Sequence, residues 1–282
     1  MFPSFELFGR VFSMYTVCGV VGSLLSGFVI YLLVRERNDL RKDQLLHIAL
    51  AGFAGMFIGA HILFGLTNYR KIVWIFKNFS VFTHSYKTVF YFLSDIFGGM
   101  VFYGGLLGGI IGAYLYMRSL KLDFWTYADV FVPTVPILHA FGRIGCFLSG
   151  CCYGIESEFG FVYQNSLVAE ANGVRRFPVQ LLECILNLVI AIVLVAIIKH
   201  GIDKKKLLWI YGIMYSIVRF NLEFLRGDVI RGIFYGISTS QWISIGFFII
   251  SVIMLVFSRS KVNDNKADSN ALKDEIVKAS CN

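Results

Sequence analysis

The sequence predicts an all-α polytopic membrane protein of seven transmembrane helices, with an outside amino terminus and a cytoplasmic carboxy terminus. Three observations lead there. Of 282 residues, 57% are apolar and 16% charged, whereas soluble domains run at about 45 to 50% and about 25%. Too few Lys, Glu, Asp and Arg remain to cover an aqueous surface. The mean hydropathy is +0.69, and seven stretches reach the roughly 20 mainly apolar residues that a spanning helix needs.

In chain order these stretches are residues 12–34, 45–66, 90–117, 124–154, 178–198, 207–224 and 238–257. The first follows MFPSFELFGR, which has little charge; the apolar run after it is too long for a signal peptide and lacks a small-residue cleavage site, so it reads as a retained span. The third is rich in glycine, from Gly98 to Gly112, which allows close helix packing and also leaves room for a lipid or peptide beside Tyr103. The fourth contains Pro133, Pro136 and four glycines and is too long for one straight helix, so a kinked or re-entrant segment is expected. Residues 1–257 form the seven-helix domain in this reading, and residues 258–282 a polar, disordered tail.

The net charge of +8 orients the spans. Loops after the first, third, fifth and seventh spans hold fifteen Lys and Arg residues and the opposite set holds nine, so the richer set is cytoplasmic. The basic residues are dispersed with no aromatic stripe beside them, which argues against a nucleic-acid partner.

Two arginines, Arg143 and Arg219, fall inside predicted spans. A charged side chain at the bilayer centre costs roughly 2.5 to 3.5 kcal/mol on insertion scales, so each needs a partner or a ligand. Arg219 has Glu223 one turn away at i, i+4. Arg143 has no carboxylate within one turn, only His139, and a guanidinium lacking a carboxylate is a ready site for an anion, phosphate above all. Tyr211, Arg219, Glu223 and Arg226 continue as a polar stripe toward the outer headgroup region, where Arg226 and Asp228 also fit a snorkelling anchor.

Six cysteines do not make a disulfide scaffold in a chain of this length. Three of them, Cys146, Cys151 and Cys152, crowd together. The spacing C-x4-C-C is poor for tetrahedral zinc, which usually takes two C-x2-4-C pairs, and no metal is assigned. A thiol redox site and plain packing by small, polarisable side chains both remain open.

The run from His139 to Gly154, containing Gly142-Arg143-Ile144-Gly145-Cys146-Phe147, resembles the G-R-x-G-N-F-x-N-x-E-x-x-G signature of prolipoprotein diacylglyceryl transferases. Three further blocks follow the same family's order. Tyr103-Gly104-Gly105-Leu106-Leu107-Gly108 is similar to H-G-G-L-I-G, Arg176 to Glu183 (RFPVQLLE) to R-H-P-S-Q-L-Y-E, and Arg219 to Arg226 (RFNLEFLR) to R-F-x-x-E-F-x-R. Tyr15 matches the family's first-span tyrosine. The resemblance implies seven spans with an outside amino terminus and transfer of the diacylglyceryl group of phosphatidylglycerol to the lipobox cysteine thiol of prolipoprotein signal peptides, releasing glycerol phosphate, without a cofactor, in a bacterial inner membrane. Phosphatidylglycerol, those signal peptides and membrane lipids are then the partners. Arg143, Arg219 and Tyr103 are the catalytic candidates; Arg143, Tyr15, Gln180, Glu183, Glu223, Arg226, Gly104, Gly105 and Gly154 are the substrate-binding ones.

The chain departs from the family pattern at several places. Tyr103 stands where the family has histidine, His61 replaces an arginine, Phe177 replaces another histidine, and Cys146, Ser149 and Cys151 occupy the two asparagines and the glutamate of the signature. His61, His139 or the arginine field could each assist thiol deprotonation. A membrane thiol oxidoreductase using the three cysteines, and a phospholipid transporter without chemistry, are the competing readings.

Overall fold

A computed structural model describes residues 1–77, 86–201, 205–228 and 232–258, without the side chains of 75, 76, 86–88, 102 and 103. Nearly all of the predicted tail lies outside the described residues. The chain divides into two compact units, one formed by Met1–Arg37 with the chain from Ala128 onward, the other by Asn38–Tyr127.

The first unit opens on a hairpin of β1 (Ser4–Leu7) and β2 (Arg10–Ser13). Phe8 and Gly9 turn it with positive φ at both central residues, the arrangement that matches strand twist. Because Phe12 and Ser13 pair with Phe5 and Ser4, helix α1 (Met14–Val34) starts two residues inside the predicted span. The 124–154 stretch is interrupted as its prolines predicted. Helix α6 (Phe124–Phe131) stops at a turn over Val132 and Pro133, and α7 (Thr134–Ser149) ends at Gly150, whose φ of 76° is left-handed and suits glycine. Residues 150–155 form an irregular strap leading into β3 (Glu156–Val162), which pairs antiparallel with β4 (Arg175–Arg176).

After Pro178 come α8 (Val179–Lys199), α9 (Leu207–Leu222) with a final 3-10 turn over Glu223–Leu225, a hairpin of β5 (Ile233–Phe234) and β6 (Ile237–Ser238), and α10 (Thr239–Ser258). Val132, Ile190, Leu194, Leu207 and Tyr211 form an apolar cluster in this unit. Helix α8 is turned inside out relative to a soluble helix. Gln180, Glu183 and Asn187 are buried, while Ile185, Val189 and Ile192 are exposed. A helix with its polar stripe inside and its apolar face outward is what a hydrocarbon solvent selects.

The second unit contains α2 (Leu45–Thr67), α3 (Tyr69–Lys77), α4 (Tyr86–Phe97) and α5 (Phe102–Ser119). Here the 90–117 stretch departs from the expected single span. It breaks after Phe97 and resumes at Phe102, because Gly98 and Gly99 weaken the helix and the Val101 amide bonds to the Ala60 carbonyl on α2 instead. Among the described residues five helices are long and apolar enough to cross a membrane: Met14–Val34, Lys42–Thr67, Phe124–Ser149, Val179–Lys199 and Thr239–Ser258. The molecule is thus a mostly helical protein of the membrane type. Helix α5 carries five glycines that dilute its apolarity, and α9 is only 16 residues long.

Candidate active site

Two helices of the first unit carry polar stripes that meet. On α7, His139, Arg143 and Cys146 follow one another at i, i+4 and i+7; on α8, Gln180, Glu183 and Asn187 do so at i, i+3 and i+7. The Arg143 Nε lies 2.9 Å from Glu183 Oε2, and it also donates to His139 Nε2 at 3.3 Å. His139 Nε2 stands 3.4 Å from Glu183 Oε1. Arg143 therefore has a carboxylate partner, contrary to the expectation of an unpartnered guanidinium. The partner lies 40 residues on, beyond the reach of any local spacing. Since the Glu183 side chain is 2% exposed, either charge left alone would be heavily penalised.

The stripe on α9 runs through Tyr211, Tyr215 and Arg219. The Tyr215 ring is 5.3 Å from the His139 ring and stacks on Tyr211, and His139 lies within electrostatic reach of both Arg143 and Arg219. Arg219 makes the expected pair with Glu223, Nη2 to Oε2 at 2.8 Å, and the same nitrogen donates to Ser240 Oγ on α10 at 2.9 Å. Its Nη1 is buried and has no hydrogen-bond partner among the described residues. Such a donor is costly unless something accepts from it. Arg226 donates from Nε to Asp228 Oδ1 at 2.9 Å, with a second contact from Nη2 to Oδ2.

The strap after α7 explains the other signature residues. Gln180 is fully buried and donates from Nε2 to the Cys151 carbonyl at 2.8 Å, while the Tyr163 hydroxyl donates to Gln180 Oε1 at 3.1 Å. Gly154 forms a bridge with Arg226, and a Cβ there would meet the Phe177 carbonyl at 2.3 Å, so close backbone approach accounts for the glycine. Tyr15 on α1 packs on α7, where a Cβ at Gly145 would fall 2.8 Å from its ring. The Sγ atoms of Cys146, Cys151 and Cys152 all lie within 4.8 Å of one another, and all three thiols are free.

Tyr103, Gly104 and Gly105 belong to the second unit, with the Tyr103 side chain outside the described residues. The glycines have a packing reason. Gly104, Gly108 and Gly112 lie one turn apart along α5 against Gly59, Gly55 and Ala51 of α2, with Cβ-to-backbone approaches of 2.2 to 2.5 Å if side chains were added. His61 Nδ1 donates to the Phe97 carbonyl, 2.6 Å away.

Sequence reasoning passed over Asn187, Tyr163, Ser240 and the α2 glycines. Asn187 had a legible signal, a lone amide in an apolar run one turn beyond Glu183; it donates back to the Glu183 carbonyl at 2.8 Å. Tyr163 and Ser240 had none, since only the fold brings them to Gln180 and Arg219.

The family model described as prolipoprotein diacylglyceryl transferase matches residues 4–257. A phosphatidylglycerol–prolipoprotein diacylglyceryl transferase of Clostridium tetani is 30% identical over 257 residues, covering 90% of this chain and 96% of the relative. A second, numbered 2 in Clostridium perfringens, is 30% identical over 268 residues, covering 93% and 96%. That of Enterococcus faecalis is 27% identical over 270 residues, covering 92% and 91%.

Proposed function

The chain belongs to the prolipoprotein diacylglyceryl transferase family, and from that premise we propose that it moves the diacylglyceryl group of phosphatidylglycerol onto the lipobox cysteine thiol of a prolipoprotein signal peptide. The observation that carries the site assignment is the buried Arg219, held by Glu223 and Ser240 with one Nη1 donor still to be satisfied. A lipid phosphate oxygen is the acceptor that suits it.

In the reaction the acceptor thiolate attacks the glyceryl carbon, the bond from that carbon to the phosphate-ester oxygen breaks, and glycerol phosphate departs. A second negative charge develops on the departing phosphate. Arg219 and Arg143 meet it with donors already oriented by Glu223 and Glu183, so little reorganisation is needed as the charge appears. Glu183 and Glu223 act on the arginines, Gln180 holds the Cys151 carbonyl, and Gly154 keeps the strap against Phe177. Tyr15 packs on α7 within electrostatic reach of Arg143. Arg226, Gly104 and Gly105 are assigned to substrate binding, and Tyr103 to catalysis, by their places in the family blocks alone. His139, in contact with Arg143 and Glu183, is the imidazole on hand in this cluster to help deprotonate the thiol.

The same reading makes the protein a multi-pass component of a bacterial inner membrane, with seven crossings, an outside amino terminus and a cytoplasmic carboxy terminus. The fifteen-to-nine split of basic residues supports that orientation; a carboxy-terminal alkaline phosphatase fusion that is active outside would overturn it. Family membership favours the transferase over the oxidoreductase and transporter readings. Incubation with radiolabelled phosphatidylglycerol and a lipobox peptide tests it: labelled peptide and free glycerol phosphate are expected. No transfer under conditions where another family member works would sink the assignment.

A further inference from the structure

We propose that Cys146, Cys151 and Cys152 form a three-thiolate binding site for a soft, thiophilic d10 cation of the cadmium(II) or copper(I) class. The three Sγ atoms already lie within 4.8 Å of one another. Trigonal coordination at the roughly 2.3 Å typical of metal–thiolate bonds needs sulfurs about 4 Å apart, a separation that small side-chain rotations supply. The spacing that disfavours tetrahedral zinc does not bear on this geometry. A trigonal site needs no second C-x2-C pair, and soft thiolate sulfur selects soft metals.

The backbone holds the three sulfurs in place. Gly150 turns the chain at the end of α7 and Cys152 is itself left-handed, with φ of 55°, so that both strap cysteines fold back toward Cys146. A non-glycine residue rarely adopts that conformation, and backbone strain of this kind concentrates at functional sites. The loop is also braced from outside. Gln180 donates to the Cys151 carbonyl, Tyr163 donates to Gln180, and both braces are buried, which resembles the outer layer that orients ligands in metal sites. Cys146 is buried while Cys151 and Cys152 are half-buried, so the cluster is sheltered yet open to an ion.

Charge favours loading. Three thiolates around a divalent cation carry one net negative charge, and Cys152 lies within electrostatic reach of Arg143 and Arg226. Binding exchanges thiol protons, released to the buffer, for metal–sulfur bonds, and no electrons move.

The test uses the full chain in detergent micelles under reducing conditions, with cadmium(II) alone as the probe. The thiolate-to-cadmium charge-transfer absorption is expected to saturate at one cation per chain, and X-ray absorption is expected to count three sulfur neighbours. Cys146→Ser and Cys152→Ser should each weaken binding by more than the roughly tenfold that outer-layer changes cost at metal sites. A variant with Cys18, Cys184 and Cys281 all changed to Ser should bind as the wild type does. Fewer than three sulfurs around the bound cation overturns the site, as does binding that survives loss of the strap thiols or vanishes when Cys18, Cys184 and Cys281 are replaced. The sulfur count is made on the unaltered protein, so a variant that fails to fold does not protect the proposal.

Discussion

Helices α7 and α8 meet through charge, whereas α2 and α5 meet through the absence of side chains. In the first pair a half-buried guanidinium and imidazole and a buried carboxylate occupy the contact. In the second, three small residues of each helix let the backbones approach so closely that an added Cβ would fall 2.2 to 2.5 Å from backbone atoms. Hydrocarbon gives helices no hydrophobic reason to associate, so packing and polar contacts must hold them together. The glycine seam does that with no charge to desolvate. The ionic contact is the more expensive solution, because each charge must be taken out of water and held by its partner.

Breaking one side of the ionic contact should have the largest effect. Glu183→Ala strands Arg143 and is expected to cost about 3 to 5 kcal/mol, measured by thermal unfolding in detergent. The double variant Arg143→Met with Glu183→Leu should regain most of that stability while remaining inactive; recovery of transfer would show that the charges serve the fold alone. Arg219→Ala, or Arg143→Ala in protein that still folds, should lower transfer by roughly 10²- to 10³-fold, the loss typical of removing one preorganised donor. Arg143→Lys at full activity would exclude a bidentate grip on phosphate.

The dry seam should respond to size and not to charge. Gly108→Leu, where a Cβ meets the Gly55 carbonyl at 2.2 Å, is expected to lose about 1 to 3 kcal/mol or more through overpacking. Gly52→Ala, whose nearest neighbour would be 3.6 Å away, should stay within about 0.5 kcal/mol. Equal effects at the two positions would refute the close-approach account. Smallest of all, Tyr163→Phe removes the hydrogen bond to Gln180 and should cost about 1 kcal/mol, with a slightly lower melting temperature and a looser Cys151 strap by hydrogen exchange.

Much of the candidate site was legible along single helices. The Arg219–Glu223 pair follows from i, i+4 spacing, and the break in the 124–154 stretch follows from its prolines. The third stretch misled, because its apolarity ran through Gly98 and Gly99 while the Val101 amide found its acceptor on another helix. Arg143 misled in a similar way. Its local neighbourhood held no carboxylate, yet Glu183 closes on it from α8.

The sequence by itself determined the solvent, the family and the two arginines that have to be explained, because shortage of charge, apolar run length and ordered motif blocks are all properties of the chain in one dimension. Only the tertiary structure decided which carboxylate holds which arginine, which glycines form a seam, and that three cysteines share one corner. Those contacts join helices whose rotation about their own axes is set by packing, and no periodicity within a single helix contains that information.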